Sequence, residues 1–187
     1  MLKITKIIIV SLSLLVSACS MQAPPYNASM ENVQTIKRAQ VEQVNVGTIL
    51  STKKLDSISL RGSSMYSPVE KSYGAYLSKA LEEELKLAKA WSSVSSTVIT
   101  GEMLTNDIDV SGFSTGTGEV SAKFVIRRGD KVLFDKVVSA NHQFDSSFMG
   151  AIAIPNGQAN YVNLIQKLIL KKFLKFVVKF LKNMITC

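Results

Sequence analysis

Side chains able to do chemistry are few in this chain, and their spacing forms no catalytic or metal-binding set. His142 is the only histidine, and one histidine without nearby cysteines cannot provide the ligands that zinc usually takes. Serines are plentiful, but none lies in a glycine-flanked nucleophile elbow and no activating base can be identified. The glycine-rich stretch Ser111–Gly118 lacks the lysine and the following helix of a phosphate-binding loop. The sequence therefore predicts a non-enzymatic protein without cofactor or metal, with a hydrolase as a weaker alternative.

Cys19 is the reactive side chain with the most informative surroundings. Lys3 and Lys6 precede an uncharged stretch from Ile7 to Ala18, and small residues stand directly before the cysteine. The stretch is too short for a spanning helix, which needs about 20 apolar residues, but it suits the apolar core of a signal peptide. The sequence thus predicts export. Two alternatives stay open: a plain secretory signal with a chance cysteine, and an uncleaved anchor.

The run Leu15-Val16-Ser17-Ala18-Cys19 resembles the lipobox of bacterial lipoprotein signal peptides. In that family the thiol is linked to diacylglycerol, a peptidase cuts before the cysteine, and acyl chains such as palmitate hold the protein on a membrane. The resemblance implies a signal peptide over residues 1–18 and lipidation at Cys19, so that the membrane is a partner through the N-terminal lipid. Several acyl chains make this attachment durable, because each buried methylene contributes about 0.8 kcal/mol.

The residues beside the two cysteines bear on location and redox state. Ser20 stands where, in enteric-type lipoproteins, an aspartate would tend to retain the protein at the inner membrane. The resemblance therefore implies a lipid anchor in the outer membrane and a domain that faces the periplasm. Cys187 is the last residue and has no partner within the chain once Cys19 is lipidated. An inert terminal thiol is favoured over a disulfide between chains.

The formal net charge of +8 comes from the two ends of the chain rather than from its body. Residues 20–163 hold 14 basic and 14 acidic side chains, whereas two lysines lie in the signal segment and six follow residue 163. A neutral body behind an export signal argues against nucleic acid as a partner.

The last segment of the chain is lysine-rich and strongly amphipathic. A helix is predicted from about Asn160 to Met184, with lysines on one side and apolar side chains on the other. Such a helix suits a membrane interface that contains anionic lipid, and it suits equally a terminal helix packed on the domain. The predicted membrane or partner contacts are Lys171, Lys172, Lys175, Lys179, Lys182, Phe173, Phe176 and Phe180.

Between these ends, about 150 residues show the pattern of one α+β domain. A capping-box pattern at Ser67-Pro68-Val69-Glu70 predicts a helix that runs to Trp91. Alternating apolar residues predict strands at Val41–Leu50, Leu55–Leu60, Thr97–Val110, Glu119–Arg128 and Lys131–Phe144. The predicted fold is two-layered, an antiparallel sheet packed against two helices behind a lipidated tether. Its divisions are a signal peptide (1–18), a tether (19–40), a periplasmic domain (41–166) and a basic amphipathic helix (167–187).

Two features of the predicted domain each allow two interpretations. Glu84 falls near the middle of the apolar face of the first helix. One interpretation makes it an acid with a raised pKa or an internal anchor; the other, which we favour, lets its carboxylate reach solvent after a slight roll of the helix. The uncharged segment Ser146–Pro155 either completes the core, which we favour, or forms an apolar lip that contacts lipid or a partner.

In outline, this order of strands and helices resembles small envelope lipoproteins, including auxiliary lipoproteins of transport and of lipopolysaccharide assembly. The resemblance rests on the capped helix and the strand meander, and it carries over no partner and no site residue. The predicted function is that of a non-enzymatic outer-membrane lipoprotein whose periplasmic domain binds or supports another cell-envelope component, most simply a protein. The alternative is a membrane-active or lipid-binding protein that uses the C-terminal helix. An envelope hydrolase ranks third.

Overall fold

The computed structural model describes residues 20–170. Their elements in chain order are β1 (Ser20–Gln22), α1 (Met30–Ala39), β2 (Asn45–Leu50), β3 (Ser57–Leu60), β4 (Ser63–Tyr66), α2 (Tyr73–Leu87), β5 (Thr97–Asp109), β6 (Thr115–Arg128), β7 (Lys131–Asp145) and α3 (Gly150–Leu168). The predicted α+β class is confirmed. Within this part of the chain it is built from three helices and two sheets rather than two helices and one sheet.

The larger sheet has the strand order β2-β5-β6-β7, and its antiparallel part is the predicted meander. Its central strand β6 buries alternate side chains, because a strand directs successive side chains to opposite faces. The β6–β7 turn contains Gly129 at a φ of 55°, a left-handed conformation that glycine adopts without steric cost. Strand β2 pairs in parallel with β5 at one edge.

The smaller sheet has the strand order β1-β4-β3. Strands β3 and β4 form a hairpin whose turn is Arg61-Gly62, with φ values of 49° and 86°. Strand β1 runs parallel to β4, and its first residue, Ser20, pairs with Ser64 close to that turn.

The helices cover the sheets on the core side and meet through tyrosines. Helix α3 packs on β6 and β7, α2 packs along β2, and α1 packs on α2. Tyr73, Tyr76 and Tyr161 are fully buried, and the ring centroid of Tyr161 lies 4.9 Å from that of Tyr73 and 5.6 Å from that of Tyr76. Burial raises the pKa of all three, so their hydroxyls act as hydrogen-bond donors. The Tyr161 hydroxyl, for example, donates to Asn106 Oδ1 at 2.9 Å.

The first predicted helix starts and ends at other residues than the capping box indicated. Ser72, not Ser67, is its N-cap and accepts a hydrogen bond from the Ala75 amide. The neighbouring amide of Tyr73 donates to Asp56 Oδ1 at 2.8 Å. A carboxylate from another element thus satisfies a free helix-end amide that a local sequence motif cannot reveal. The helix ends at Leu87, so Trp91 lies outside it and forms a β-bridge with Val44.

Residues 20–40, predicted as a tether, are part of the fold. They contain β1 and the whole of α1, and Ala23, Val33 and Ile36 are buried in the core. The Tyr76 hydroxyl donates to the carbonyl of Pro24 at 3.0 Å. The prediction was wrong here because the segment is held by partners distant in sequence, whereas its own composition is polar and proline-rich.

Helix α3 begins at Gly150, ten residues before the predicted start. Pro155 is its sixth residue, past the first-turn amides that lack intrahelical partners, so the helix forgoes one backbone hydrogen bond at this point. At the other end Leu168 and Ile169 are fully buried. The packed domain therefore extends past the predicted boundary at residue 166, as far as Ile169.

Candidate functional site

The residues that the sequence singled out for lipidation and for tail contacts lie outside the described residues. These are Cys19 and the set Lys171, Lys172, Phe173, Lys175, Phe176, Lys179, Phe180 and Lys182. The structure does describe the two points at which the domain meets them, Ser20 and Leu170, and the surfaces around those points.

Four exposed apolar side chains cluster at the end of the domain where Ser20 lies. We call Phe113, Phe148, Met149 and Ile152 the apolar tip. Phe113 is 78 % exposed and Phe148 71 % exposed, and their rings stack with centroids 5.4 Å apart and an interplanar angle of 15°. Phe113 belongs to the β5–β6 loop, and the other three lie where β7 passes into α3. The segment Ser146–Pro155 thus combines both interpretations: Phe148, Met149 and Ile152 are exposed as in a lip, whereas Ala153 is buried in the core and Ile154 packs against it.

Arg61 in the β3–β4 turn ties the two loops of the apolar tip together through backbone carbonyls. Its Nε donates to the carbonyl of Val110 at 2.9 Å, and Nη2 donates to that of Ser147 at 2.8 Å. Nη1 donates to the carbonyl of Phe148 at 2.6 Å, and Nη2 also reaches that of Gly112 at 3.5 Å. One planar guanidinium, with its five donors in a fixed fork, therefore satisfies carbonyls from both loops.

Replacing Arg61 with alanine is expected to lower the free energy of unfolding by about 1–2 kcal/mol, because several solvent-accessible hydrogen bonds are lost at once. The measurement is urea denaturation, with limited proteolysis of the 110–114 loop as a local readout. Arg38→Ala is the matched control, since Arg38 is exposed on α1 and contacts only Gln34 at 3.5 Å. Equal stability of the two variants would show that Arg61 does not hold the loops.

The other end of α3 lies far from the apolar tip. Helix α3 has 19 residues and is therefore about 28 Å long. It runs antiparallel to β7, since Asn156 donates to the carbonyl of Asp145, at the end of that strand, and Asn160 contacts His142. The chain accordingly leaves the described part of the structure at Leu170, at the end opposite to Ser20.

Glu84 is the one buried carboxyl group among residues 20–170, and the structure contradicts the favoured prediction that it reaches solvent. Its side chain is fully buried on α2. Its Oε1 accepts hydrogen bonds from the Tyr26 hydroxyl at 2.5 Å, the Ser29 amide at 3.1 Å and Asn32 Nδ2 at 2.8 Å. All three donors come from the N-terminal segment. Glu84 is thus the internal anchor that fastens residues 26–32 to the second helix.

Burial raises the pKa of Glu84, an effect that its three hydrogen-bond donors reduce without reversing. Its second oxygen, Oε2, is buried without a partner, and so is Oδ1 of Asn32. A carboxylate normally pairs both oxygens, whereas a protonated Oε2 would be a donor. Burial therefore opposes ionisation of this structural acid, whereas the three donors to Oε1 favour it.

The remaining chemistry-bearing side chains of residues 20–170 are used in packing. His142 bridges β7 and α3: Lys167 donates to its Nδ1, and its Nε2 lies 3.0 Å from Asn160 Oδ1. Burial lowers the pKa of His142, which favours the neutral ring. In the same range, no three His, Cys, Asp or Glu side chains gather as a metal site would require. An open groove of about 730 Å³ between β2 and α2 is lined partly by the ion pair of Lys86 with Glu82.

None of the helices within residues 20–170 is both long enough and apolar enough to cross a bilayer. The sequence alone did not identify Arg61 or Phe113 as site residues, because both lie in short polar turns. For the other tip residues the sequence did contain an indication, because an uncharged run of this kind must be either buried or in contact with a partner.

Comparison with known proteins shows the fold and not a family. No protein-family model matches the sequence, and no curated protein matches it. Among solved structures, the Xanthomonas campestris protein XCC0632, of the family DUF330, superposes with a TM-score of 0.61 at 7 % identity, covering 90 % of this chain and 100 % of that one. A candidate lipoprotein from Caulobacter crescentus CB15 superposes with a TM-score of 0.50 at 10 % identity, covering 82 % and 97 %. The chain thus shares its fold with bacterial proteins over nearly their whole length.

Proposed function

We propose that this protein is a non-enzymatic lipoprotein, anchored in the outer membrane by acyl chains on Cys19, whose periplasmic domain binds or supports another envelope component. The observation that carries the proposal is the position of Cys19, at the end of its signal-like segment and one residue before the fold begins. Ser20 is already paired in β1. Cleavage before Cys19 would therefore remove no residue of the described domain and would leave the domain directly on its anchor.

Two further observations support the proposal. The fold is shared with a candidate lipoprotein of Caulobacter crescentus, which favours an envelope setting for this chain. The buried polar side chains of residues 20–170, such as Glu84 and Asn106, serve internal hydrogen bonds rather than a solvent-facing reaction site. The proposed activity of the domain is therefore to bind another component at a fixed place in the envelope. The partner in this proposal is an envelope protein.

Replacing Cys19 with alanine is expected to abolish incorporation of labelled palmitate, since the thiol is the attachment point of the lipid. The measurement is labelling in cells followed by isolation of the protein and separation of inner and outer membranes. Cys187→Ala is the matched control, because it removes the other thiol and should leave both labelling and outer-membrane location unchanged. Persistent labelling of the Cys19→Ala variant would refute the lipoprotein assignment.

The partner is tested by crosslinking in intact cells with the wild-type protein and the Cys19→Ala variant side by side. We expect an envelope protein to be captured by the wild type and lost from the variant, because lipidation fixes the domain beside its partner. Capture by both forms alike would indicate that the anchor is not what brings the two together.

The alternative function, a membrane-active or lipid-binding protein, depends on the lysine-rich tail from Lys171 to Lys182. Its support is the sequence pattern together with the position of Leu170 at the end of α3. Ser20 and Leu170, the first and last residues that the structure describes, lie at opposite ends of the domain.

A further inference from the structure

One end of the domain carries a local group of exposed apolar side chains that includes two aromatic rings. Eleven large apolar side chains are exposed among residues 20–170, and four of them form the apolar tip, including both exposed phenylalanines. The other seven are Met30, Leu50, Leu87, Val94, Leu104, Val132 and Val137. Single exposed apolar residues are ordinary, but a contiguous cluster with two stacked aromatic rings marks an interaction surface.

Many backbone polar groups of the apolar tip are hydrogen-bonded within the protein, so they can leave water at little cost. A loop that enters an apolar environment loses the water bound to its carbonyl groups, and an unpaired carbonyl costs several kcal/mol there. Arg61 already donates to the carbonyls of Val110, Ser147 and Phe148. The amide of Ser146 also donates to the carbonyl of Ser114 at 2.8 Å. The loops that display the phenyl rings therefore satisfy many of their polar groups internally.

The apolar tip lies at the end of the domain where the chain continues toward Cys19. Ser20 pairs with Ser64, one residue after the β4 start and two after Gly62 in the hairpin turn. The other turn residue, Arg61, is the one that binds both loops of the tip. Strands β5 and β7 end at this side of the domain, and β6 and α3 begin there. The attachment point and the exposed rings thus share one end.

We propose that the apolar tip inserts into the lipid surface that carries the acyl chains of Cys19, so that the domain rests on the bilayer at two points. This inference rests on the proposed lipid anchor. A lipid surface fits better than a charged partner, because the charges around the tip nearly cancel: Arg61 is positive, and Asp109 and Asp145 are negative at the ends of β5 and β7, which leaves a net charge of −1. Insertion is therefore driven by the rings and depends little on anionic lipid.

The test places a tryptophan reporter at the tip of the full-length, lipidated protein. Trp91 is the only native tryptophan, and its buried Nε1 has no hydrogen-bond partner, so Trp91→Phe gives a silent background without the loss of a hydrogen bond. Phe148→Trp is the reporter, and the protein is reconstituted into phosphatidylethanolamine–phosphatidylglycerol vesicles with brominated acyl chains. We expect its emission to be quenched by the brominated lipid.

The control reporter is Val94→Trp in the same background. Val94 is 90 % exposed and precedes β5, a 13-residue strand that separates it from the tip by about 40 Å. Its emission should not change. Absence of quenching at position 148, which burial of the tip against a protein or a second copy would also give, overturns the inference. Equal quenching at both positions overturns it as well.

A second measurement follows the transfer of the protein from one vesicle population to another. Each inserted phenyl ring is expected to slow desorption roughly tenfold, so Phe113→Ser with Phe148→Ser should speed transfer about 100-fold, whereas Val94→Ser should leave it unchanged. Palmitate labelling reports the anchor independently of both measurements. If the protein is labelled but not quenched, insertion of the tip is refuted and the lipid anchor is supported. If it is quenched at position 148 but not labelled, the lipid anchor is refuted and contact of the tip with lipid is supported.

Discussion

Replacing Glu84 with alanine is expected to lower the free energy of unfolding by about 3–5 kcal/mol at neutral pH. The change leaves the Tyr26 hydroxyl, the Ser29 amide and the Asn32 amide group without their shared acceptor, and it opens a cavity in a fully buried site. It also releases the segment that joins Ser20 to α1 from the second helix. The measurement is urea denaturation, with proteolysis of residues 24–32 as the local readout.

Glu84→Gln separates the hydrogen bonds from the charge. Glutamine keeps an acceptor for the three donors and cannot ionise, so its stability near neutral pH is expected to equal or exceed that of the wild type. The folded-state pKa of Glu84 is raised above its ordinary value of 4.5, chiefly by burial. The folded state then binds more protons than the unfolded state between the two pKa values, so stability falls as the pH rises through that interval.

The difference in unfolding free energy between wild type and Glu84→Gln should therefore favour the wild type most below pH 4.5, the ordinary pKa of the group, and should shift toward the glutamine variant as the pH rises. Tyr26, Tyr76 and Glu83 face or neighbour the site, and they are common to both proteins. Glu102→Gln is the control, since that carboxylate is exposed on β5 and is not among the groups that shift the pKa of Glu84. A wild type that gains stability over Glu84→Gln with rising pH would refute the raised pKa.

Elements defined by local patterns were predictable from the sequence. The β5–β6–β7 meander follows from alternating apolar residues, and the structure confirms its three strands, with β6 starting at Thr115, four residues before the predicted start. Helix α2 was found as an element, but its start was misplaced because its N-terminal amides are satisfied by Asp56 and Ser72 rather than by Ser67. A periodic pattern fixes which face is buried, whereas the end of a helix depends on donors and acceptors brought from elsewhere.

Features held together by distant residues were not predictable. Glu84 is buried because Tyr26, Ser29 and Asn32, which lie more than 50 positions earlier, surround it with donors. The same contacts hold residues 20–40 in the fold. A prediction from local composition cannot see these contacts, and it therefore assigned the segment to a tether. The apolar tip joins two loops through Arg61, a residue of a third turn, and no spacing rule connects the three. The candidate site thus depends on the topology of the fold, and the uncharged run before α3 was its one feature that could be recognised in the sequence.

Gly74→Ala is expected to destabilise the protein by about 3 kcal/mol, although alanine is the better helix former. Gly74 lies in the first turn of α2, where a Cβ would stand 2.3 Å from the carbonyl oxygen of Ile49 and 2.8 Å from the carbonyl carbon of Leu50. Both are backbone atoms at the end of β2, so no side-chain rotation relieves the clash. Helix α2 must move away from β2, and thermal or urea denaturation measures the cost.

Gly150→Ala is the matched control, because Gly150 is also a first-turn glycine and a Cβ there meets only Ile154 Cδ1, at 3.9 Å. That variant should be unchanged or more stable by up to about 1 kcal/mol, as helix propensity alone dictates. Equal effects of the two substitutions would contradict a backbone clash at Gly74. A shift of α2 also moves Glu84, which is carried on the same helix, away from its donors in residues 26–32. We therefore expect Gly74→Ala to expose the N-terminal segment to protease, whereas Gly150→Ala leaves it protected.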